Sequence, residues 1–245
     1  MRTLTDADIL RVWGVSQSQH PLDRLLTILL AGLPGSSRQE LADLSIGARD
    51  RLLLDFRERH FGQTLQSYAV CPGCQERLEF SLSTDQLRLV EETGTPGQEF
   101  TLSLPGFELH YRLPTSRDLA AAAAVSDLEA AKEIILRRCL VGASQGGTPI
   151  SPADLPGEVI SSLIEAFCQR DPQADLSLAM HCPSCGHNWE LLLDIGLFVW
   201  TDLVLAAKRL VREVHILASA YGWSEAEILN LGPGRRQAYL DLVLA

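Results

Sequence analysis

Apolar residues recur at helical spacing from the start of the chain to about residue 61. Thr5 is a candidate N-cap for a first turn carrying Ile9, Leu10 and Trp13. Pro21 suits a first helical position, and Leu22, Leu25, Leu26, Leu29 and Leu30 make one stripe that ends near Gly32 and Pro34. Ser37 with Glu40 predicts a capping box for a third short helix. A fourth helix is expected over 47–60, with Leu52, Leu53 and Phe56 inward and Arg49, Arg51, Arg57 and Arg59 largely outward as a solvated face.

After Gly62 the period changes from that of a helix to the alternation of a strand. Two segments in this register are versions of one unit, YAVCPGCQERLEFSLS and AMHCPSCGHNWELLLD. Aligning Cys71 on Cys182 places Leu78 on Trp189, Glu79 on Glu190, Phe80 on Leu191 and Leu82 on Leu193. Each CPxC turn is therefore expected at the tip of a β-hairpin. Cys74 and Cys182 lie 108 positions apart, far beyond the roughly 15 to 20 residues of a compact ribbon. The ribbon is split by an insertion.

The insertion alternates around Pro105-Gly106 in FTLSLPGFELHYRL, which predicts a β-hairpin. Helices are expected over 116–125, with its alanine run, over 127–140, with Leu128, Ile134, Ile135 and Leu136, and over 158–169, with Val159, Leu163, Ile164 and Phe167. GASQGGTPISPADLPG is rich in turn formers and reads as a mobile surface loop open to proteolysis. A long helix over 197–220 keeps one apolar face. Gly222 stops it, Ser224 with Glu227 caps the next turn, and a last helix is expected over 235–243.

Composition narrows the class. The chain has 245 residues, 46% of them hydrophobic, with 31 acidic against 21 basic residues and a net charge of -10. That balance repels phosphate backbones and anionic lipid. No apolar run approaches a membrane span, and MRTLTDADIL is not a secretory leader. A cytoplasmic protein without nucleic-acid or membrane contact is the expectation.

The chemistry lies in the cysteines. Cys71, Cys74, Cys182 and Cys185 supply four thiolates, a set that suits tetrahedral Zn2+ in a structural site. A thioredoxin-like dithiol would open a helix, whereas both CPxC turns run into strands. A catalytic zinc needs an open position, and four cysteines close the shell. His181 and His187 flank the second pair without being needed as ligands. Cys139 and Cys168 fall on apolar helix faces and are expected in the core. His20, His60, His110 and His215 share no spacing with acids or a serine, and no nucleophile, phosphate-loop or dinucleotide motif is present. The expected protein is not an enzyme. Trp223 and Tyr239, with Tyr221 beside them, gather near Arg235 and Arg236, a combination enriched at binding surfaces. These four, Trp223, Arg235, Arg236 and Tyr239, are the candidate partner-binding residues; the competing reading is that the aromatics staple the last helices to the body.

EVHILASAYGWSEAEILNLGPGRRQAYLDLV resembles the end of phage baseplate proteins encoded in contractile, phage-tail-like injection system clusters. The likeness extends to DILRVWGVSQSQHPLDRLLTILLAGLPG, LSIGARDRLLLDFRERHFGQTLQSYAVCPGC, YRLPTSRDLAAAA, RRCL and DPQADLSLAMHCPSCGHNWELLLDIGLFVW. The family is distantly similar to T4-type baseplate hub assembly chaperones. The resemblance implies an accessory or assembly protein whose partners are baseplate or hub and spike subunits. A zinc-ribbon adaptor for nucleic acid or transcription machinery is the alternative, against which net charge and the lack of basic, aromatic interleaving on the ribbon strands both argue. The expected fold class is α+β. Helical parts at 1–62 and 197–245 surround a split four-cysteine zinc-ribbon-like β unit at 63–98 and 179–196, with an inserted β-hairpin plus helices at 99–178.

Overall fold

The computed structural model describes residues 1–89 and 95–244, so 90–94 of the first expected ribbon segment lie outside it. The chain opens with α1 (Asp6–Ser16), α2 (Pro21–Gly32), α3 (Arg38–Ala42) and α4 (Ile46–Phe61). Thr5 and Ser37 form reciprocal capping boxes with Asp8 and Glu40, which satisfy the free amides of α1 and α3. The leucine stripe of α2 faces inward, with Ile28 and Leu29 fully buried against Leu53, Leu54 and Phe56 of α4.

Two of the four arginines of α4 are not a solvated face. Arg49 is buried beside Asp50, and Arg57 is buried where α4 ends. The Arg57 guanidinium donates to the carbonyls of Gly62 and Thr64 at 2.5 and 2.7 Å. Its Nε lies 2.9 Å from Asp202 Oδ2, an ion pair whose N–H is off the line of a hydrogen bond. Helical period alone does not separate such a residue from an exposed arginine. Its long apolar stem packs inside while its head answers the Gly62 and Thr64 carbonyls.

Strands β1 (Thr64–Val70) and β2 (Arg77–Ser83) form the first hairpin, followed by a single turn, α5 (Thr84–Leu87). Then come β3 (Glu99–Leu104), β4 (Phe107–Arg112), α6 (Ser116–Ala122), α7 (Leu128–Cys139), β5 (Leu140–Gln145), β6 (Thr148–Pro149) and α8 (Gly157–Arg170). The expected hairpin is half of a larger sheet, ordered β3-β4-β5-β6 and antiparallel throughout. The segment expected as a mobile loop supplies the other half. Gly146 and Gly147 both adopt positive φ, 59° and 83°, which lets a two-residue turn reverse the chain. Helix α6 stops at Ala122, short of residue 125. Its end tightens into turn bonds, the Ala124 and Val125 amides donating to the Ala121 and Ala122 carbonyls three residues back, before extended Asp127 caps α7 at the Ala130 amide. Leu109, Tyr111, Leu140 and Leu163 make the core between this sheet and α8. Cys139 is buried as expected, whereas Cys168 is exposed because α8 turns Leu163 and Ala166 to the sheet instead.

Buried polar ties join the insertion to the helical body. The Gly47 amide donates to Asp171 Oδ2 at 2.9 Å, so a carboxylate from beyond α8 caps the start of α4. The Gln173 side chain donates to the Leu87 carbonyl and accepts from the Leu89 amide, both at 3.0 Å. Within the insertion, Asp118 is fully buried, with Arg112 at 2.7 Å and Arg138 at 2.7 Å. YRLPTSRDLAAAA and RRCL, distant in sequence, meet there.

The second hairpin, β7 (Ser177–His181) and β8 (Asn188–Leu192), leads into the long α9 (Ile195–Tyr221), capped by Asp194. Val199, Leu203, Ala207 and Leu210 join the core of α2 and α4. Gly222, at φ 70°, ends α9, and α10 (Glu225–Leu229) and α11 (Pro233–Leu244) fold back on it. The fold is thus α+β with small antiparallel sheets. Among the described residues the two cysteine hairpins remain separate two-stranded sheets and share no ladder.

Candidate metal centre

Each hairpin ends in a knuckle whose backbone is folded the same way. In the first, the Cys71 amide donates to the Glu76 carbonyl and the Gln75 amide to the Cys71 carbonyl, both at 2.9 Å. In the second, Cys182 donates to His187 and Gly186 to Cys182, again at 2.9 Å. The leading cysteine of each pair is buried and the trailing one exposed. The equivalence inferred from the aligned sequences is therefore an equivalence of hydrogen bonds.

The fold brings the two knuckles face to face. Cys71 Sγ lies 3.6 Å from Cys185 Sγ, and Cys74 Sγ lies 3.6 Å from Cys182 Sγ. All four sulfurs fall within 4.8 Å of one another. A tetrahedron of sulfurs around zinc, with bonds of about 2.3 Å, has edges near 3.8 Å. The pairs are too far apart for disulfides, which need about 2.05 Å. Close approach requires a small residue at the contact: a Cβ on Gly73 would stand 3.3 Å from His187 and 3.5 Å from Cys185 Sγ.

Charge explains what the set wants. Burial disfavours a thiolate at Cys182, but the amides of Cys185 and Ser184 and the Cys74 and Cys185 thiols outweigh it and bring Cys182 down to about 6. The Glu76 amide favours ionised Cys74, yet its sulfur neighbours Cys185, Cys182 and Cys71 together with burial push it up to about 12. The His187 amide plays the same part at Cys185, which is also raised overall. One thiolate forms readily and the next is opposed by it. A divalent cation at the centre removes that opposition, so the donor set fits a metal ion and the surrounding amides would hold its sulfurs.

The histidines take other work. His181 Nδ1 pairs with Asn188 Oδ1 at 2.8 Å across the hairpin, and His187 stacks on Trp189 with centroids 6.1 Å apart. Gln75 is a position that sequence reasoning missed. It follows the second cysteine, as Gly186 does, and takes a positive φ that only Gly186 advertised.

The family model described as T4 bacteriophage base plate protein matches residues 19–197. The chain belongs to this family. Comparison with the curated proteins and with the solved structures returned no match. The matched span holds both knuckles, the insertion and the start of α9, and it ends before the C-terminal hairpin. A phage baseplate-associated role follows from membership, and other baseplate components are the partners it suggests. Among the described residues, no helix is long and apolar enough to cross a membrane.

The proposed partner surface of this baseplate-family chain is not a uniform patch. Trp223 stacks on Tyr221 at 4.6 Å and meets Tyr239 edge-on at 4.9 Å, and both Trp223 and Tyr239 are half-buried around Leu217, Ile228 and Leu240. Arg235 is exposed. Arg236 is buried, 3% exposed, and corrects the expectation of a surface pair. It binds Asp6 at 2.6 Å, Glu213 at 2.9 Å and the Leu231 carbonyl at 3.0 Å, which ties α11 to α1 and α9. Adjacent helical positions point about 100° apart, so one arginine of the pair meets solvent and the other the body.

Proposed function

We propose that the protein is a non-enzymatic, chaperone-like accessory or assembly factor for the baseplate of a contractile, phage-tail-like injection system, acting in the cytoplasm on hub or spike subunits. The observation that carries the reading is the family match over a span containing both knuckles. A structural Zn2+ on Cys71, Cys74, Cys182 and Cys185 accompanies it. Thiolate softness and tetrahedral sulfur spacing favour zinc over the oxygen-seeking cations. With four protein ligands, no position is left to activate water or polarise a substrate. Its role would be to clamp the two ends of the insertion so that the helical body and the inserted sheet present one rigid surface.

The decisive experiment is affinity capture from cells making the whole injection system, with mass spectrometry of what copurifies and electron microscopy of the particles. Baseplate subunits enriched with the wild-type chain, and defective particles in its absence, support the reading. Normal particles without the protein would overturn it.

A further inference from the structure

Between α2, the start of α4, β8 and the start of α9 lies a cleft of about 440 Å³ that contains none of the four cysteines. Leu22, Leu25, Ile46 and Leu193 give it apolar walls. On its rim the Arg24 guanidinium stacks 4.7 Å from the Trp200 ring centroid. Leu192 and Leu197 also line it and stand 67% and 61% exposed.

The polar content is unusual for so apolar a cleft. Asp50 lines it while only 8% exposed. Arg49 meets Asp50 through one oxygen, with Nε and Nη2 both 2.7 Å from Oδ1. Among the described residues Oδ2 has no protein donor, and it is not one of the sealed, unpaired buried atoms, so it opens onto the cleft. Burial lifts Asp50 to about 6 against the pull of Arg49, and Asp194 and Asp171 add to the lift. Asp175 and Asp194 line the same space. Arg24 offers them little, since its Nε and Nη2 are committed to the Ser16 and Gln17 carbonyls. With Arg49 on Oδ1 alone, Oδ2 is left facing the cleft, where a second cation can reach it.

We propose that this cleft receives a lysine or arginine side chain presented by a partner protein, its cationic head on Asp50 Oδ2 and its aliphatic stem along the leucine wall. Lysine and arginine combine a long apolar stem with a charged head, which is the chemistry the cleft presents in mirror image. A free amine would leave Leu192 and Leu197 in water. A protein surface would cover them, giving an anchor residue with an apolar rim. Only the name of the partner rests on the baseplate reading; the chemistry of the cleft does not.

Two arms of one experiment test this. In the first, the full metal-loaded chain is titrated with N-butylguanidinium and with neutral N-butylurea, following Leu methyl and Trp indole resonances. The cation should shift Leu25, Leu197 and Trp200 saturably and bind at least about tenfold more tightly than the urea. Asp50→Asn should bring the two probes level. Leu197→Arg, at an exposed position, should fold normally and block the cleft with its own guanidinium. Absence of shifts, or equal binding of both probes to the wild type, overturns the proposal. In the second arm both variants should capture at least about tenfold less of whichever baseplate subunit the wild type captures. Undiminished capture by both overturns the partner side chain. If the wild type captures no baseplate subunit, the baseplate reading fails and the probe titration still decides the cleft.

Discussion

Gln75 and Gly186 hold the same place in the two knuckles, and both adopt a left-handed backbone, at φ 64° and 74°. The turn that brings each trailing cysteine round to its partner requires this conformation. Glycine takes it freely, whereas a side chain pays roughly 1 kcal/mol or more. Gln75 recovers little of that, since its amide reaches the Cys71 and Pro72 carbonyls only at 3.4 and 3.5 Å. Gln75→Gly should therefore raise stability by about 0.5–1 kcal/mol without altering metal content. Gly186→Val should lower it by about 1–2 kcal/mol. Denaturant melts of the metal-loaded proteins check both signs.

The clamp makes a second expectation. Purified protein should hold one zinc per chain, and Cys182→Ser or chelation should cost several kcal/mol, comparable to the roughly 4.7 kcal/mol estimated for removing a cross-link around a loop of about a hundred residues. Metal analysis with thermal melts measures this. A folded Cys182→Ser chain with the wild-type melting temperature would refute the clamp.

Adjacent arginines should behave oppositely. Arg235→Glu changes an exposed charge and should move stability by less than about 0.5 kcal/mol. Arg236→Ala removes a buried cation that Asp6 and Glu213 share, leaving Glu213 only the longer contact to Arg209, and should cost about 3 kcal/mol. Hydrogen exchange in the variant should show α11 released from α1 and α9.

Acid titration should separate two buried carboxylates. Asp50 is raised to about 6 from 3.8, so the folded state binds its proton before the unfolded chain does. Its ionised form opposes folding above pH 6, and that penalty, about 3 kcal/mol, disappears as pH falls toward 4. Burial would also raise Asp118, but Arg112, the Thr115 hydroxyl and amide, and Arg138 hold it well below its ordinary value. Its stabilisation is present above the ordinary carboxylate pKa and lost as pH drops below it. Melts of Asp50→Asn should be flatter between pH 7 and 4, and melts of Asp118→Asn should lack the acid limb below that range.

Gly47 tests the tie between insertion and body. A Cβ there would stand 2.0 Å from Asp171 Oδ1, so Gly47→Ala must displace the carboxylate that caps α4. A loss of about 2–4 kcal/mol is expected from the lost cap and the strain together. Gly35→Ala, with open space around it, serves as the control.

What the sequence determined by itself is what local physics determines. The α2 stripe, the capping residues Thr5, Ser37 and Ser224, the Gly222 stop and the two hairpin knuckles were all legible because each depends on neighbours a few positions away. The four cysteines were legible too, since their chemistry and internal repeat are printed in the chain. Tertiary structure alone decided where long polar side chains went. Arg57, Arg236 and Arg49 look like solvated charges in a helical pattern, and each is buried because the packing brings distant groups to it: Asp202 to Arg57, Asp6 and Glu213 to Arg236, and the Ser116 hydroxyl to Arg49, which also pairs with its neighbour Asp50. The same holds for β5 and β6. Gly and Pro mark a reversal, but only the exposed edge of β4 turns the segment after residue 140 from loop into sheet. The Asp50 cleft belongs to this second class, because its walls come from helices and a strand far apart in the chain and no local pattern records which carboxylate oxygen opens onto it.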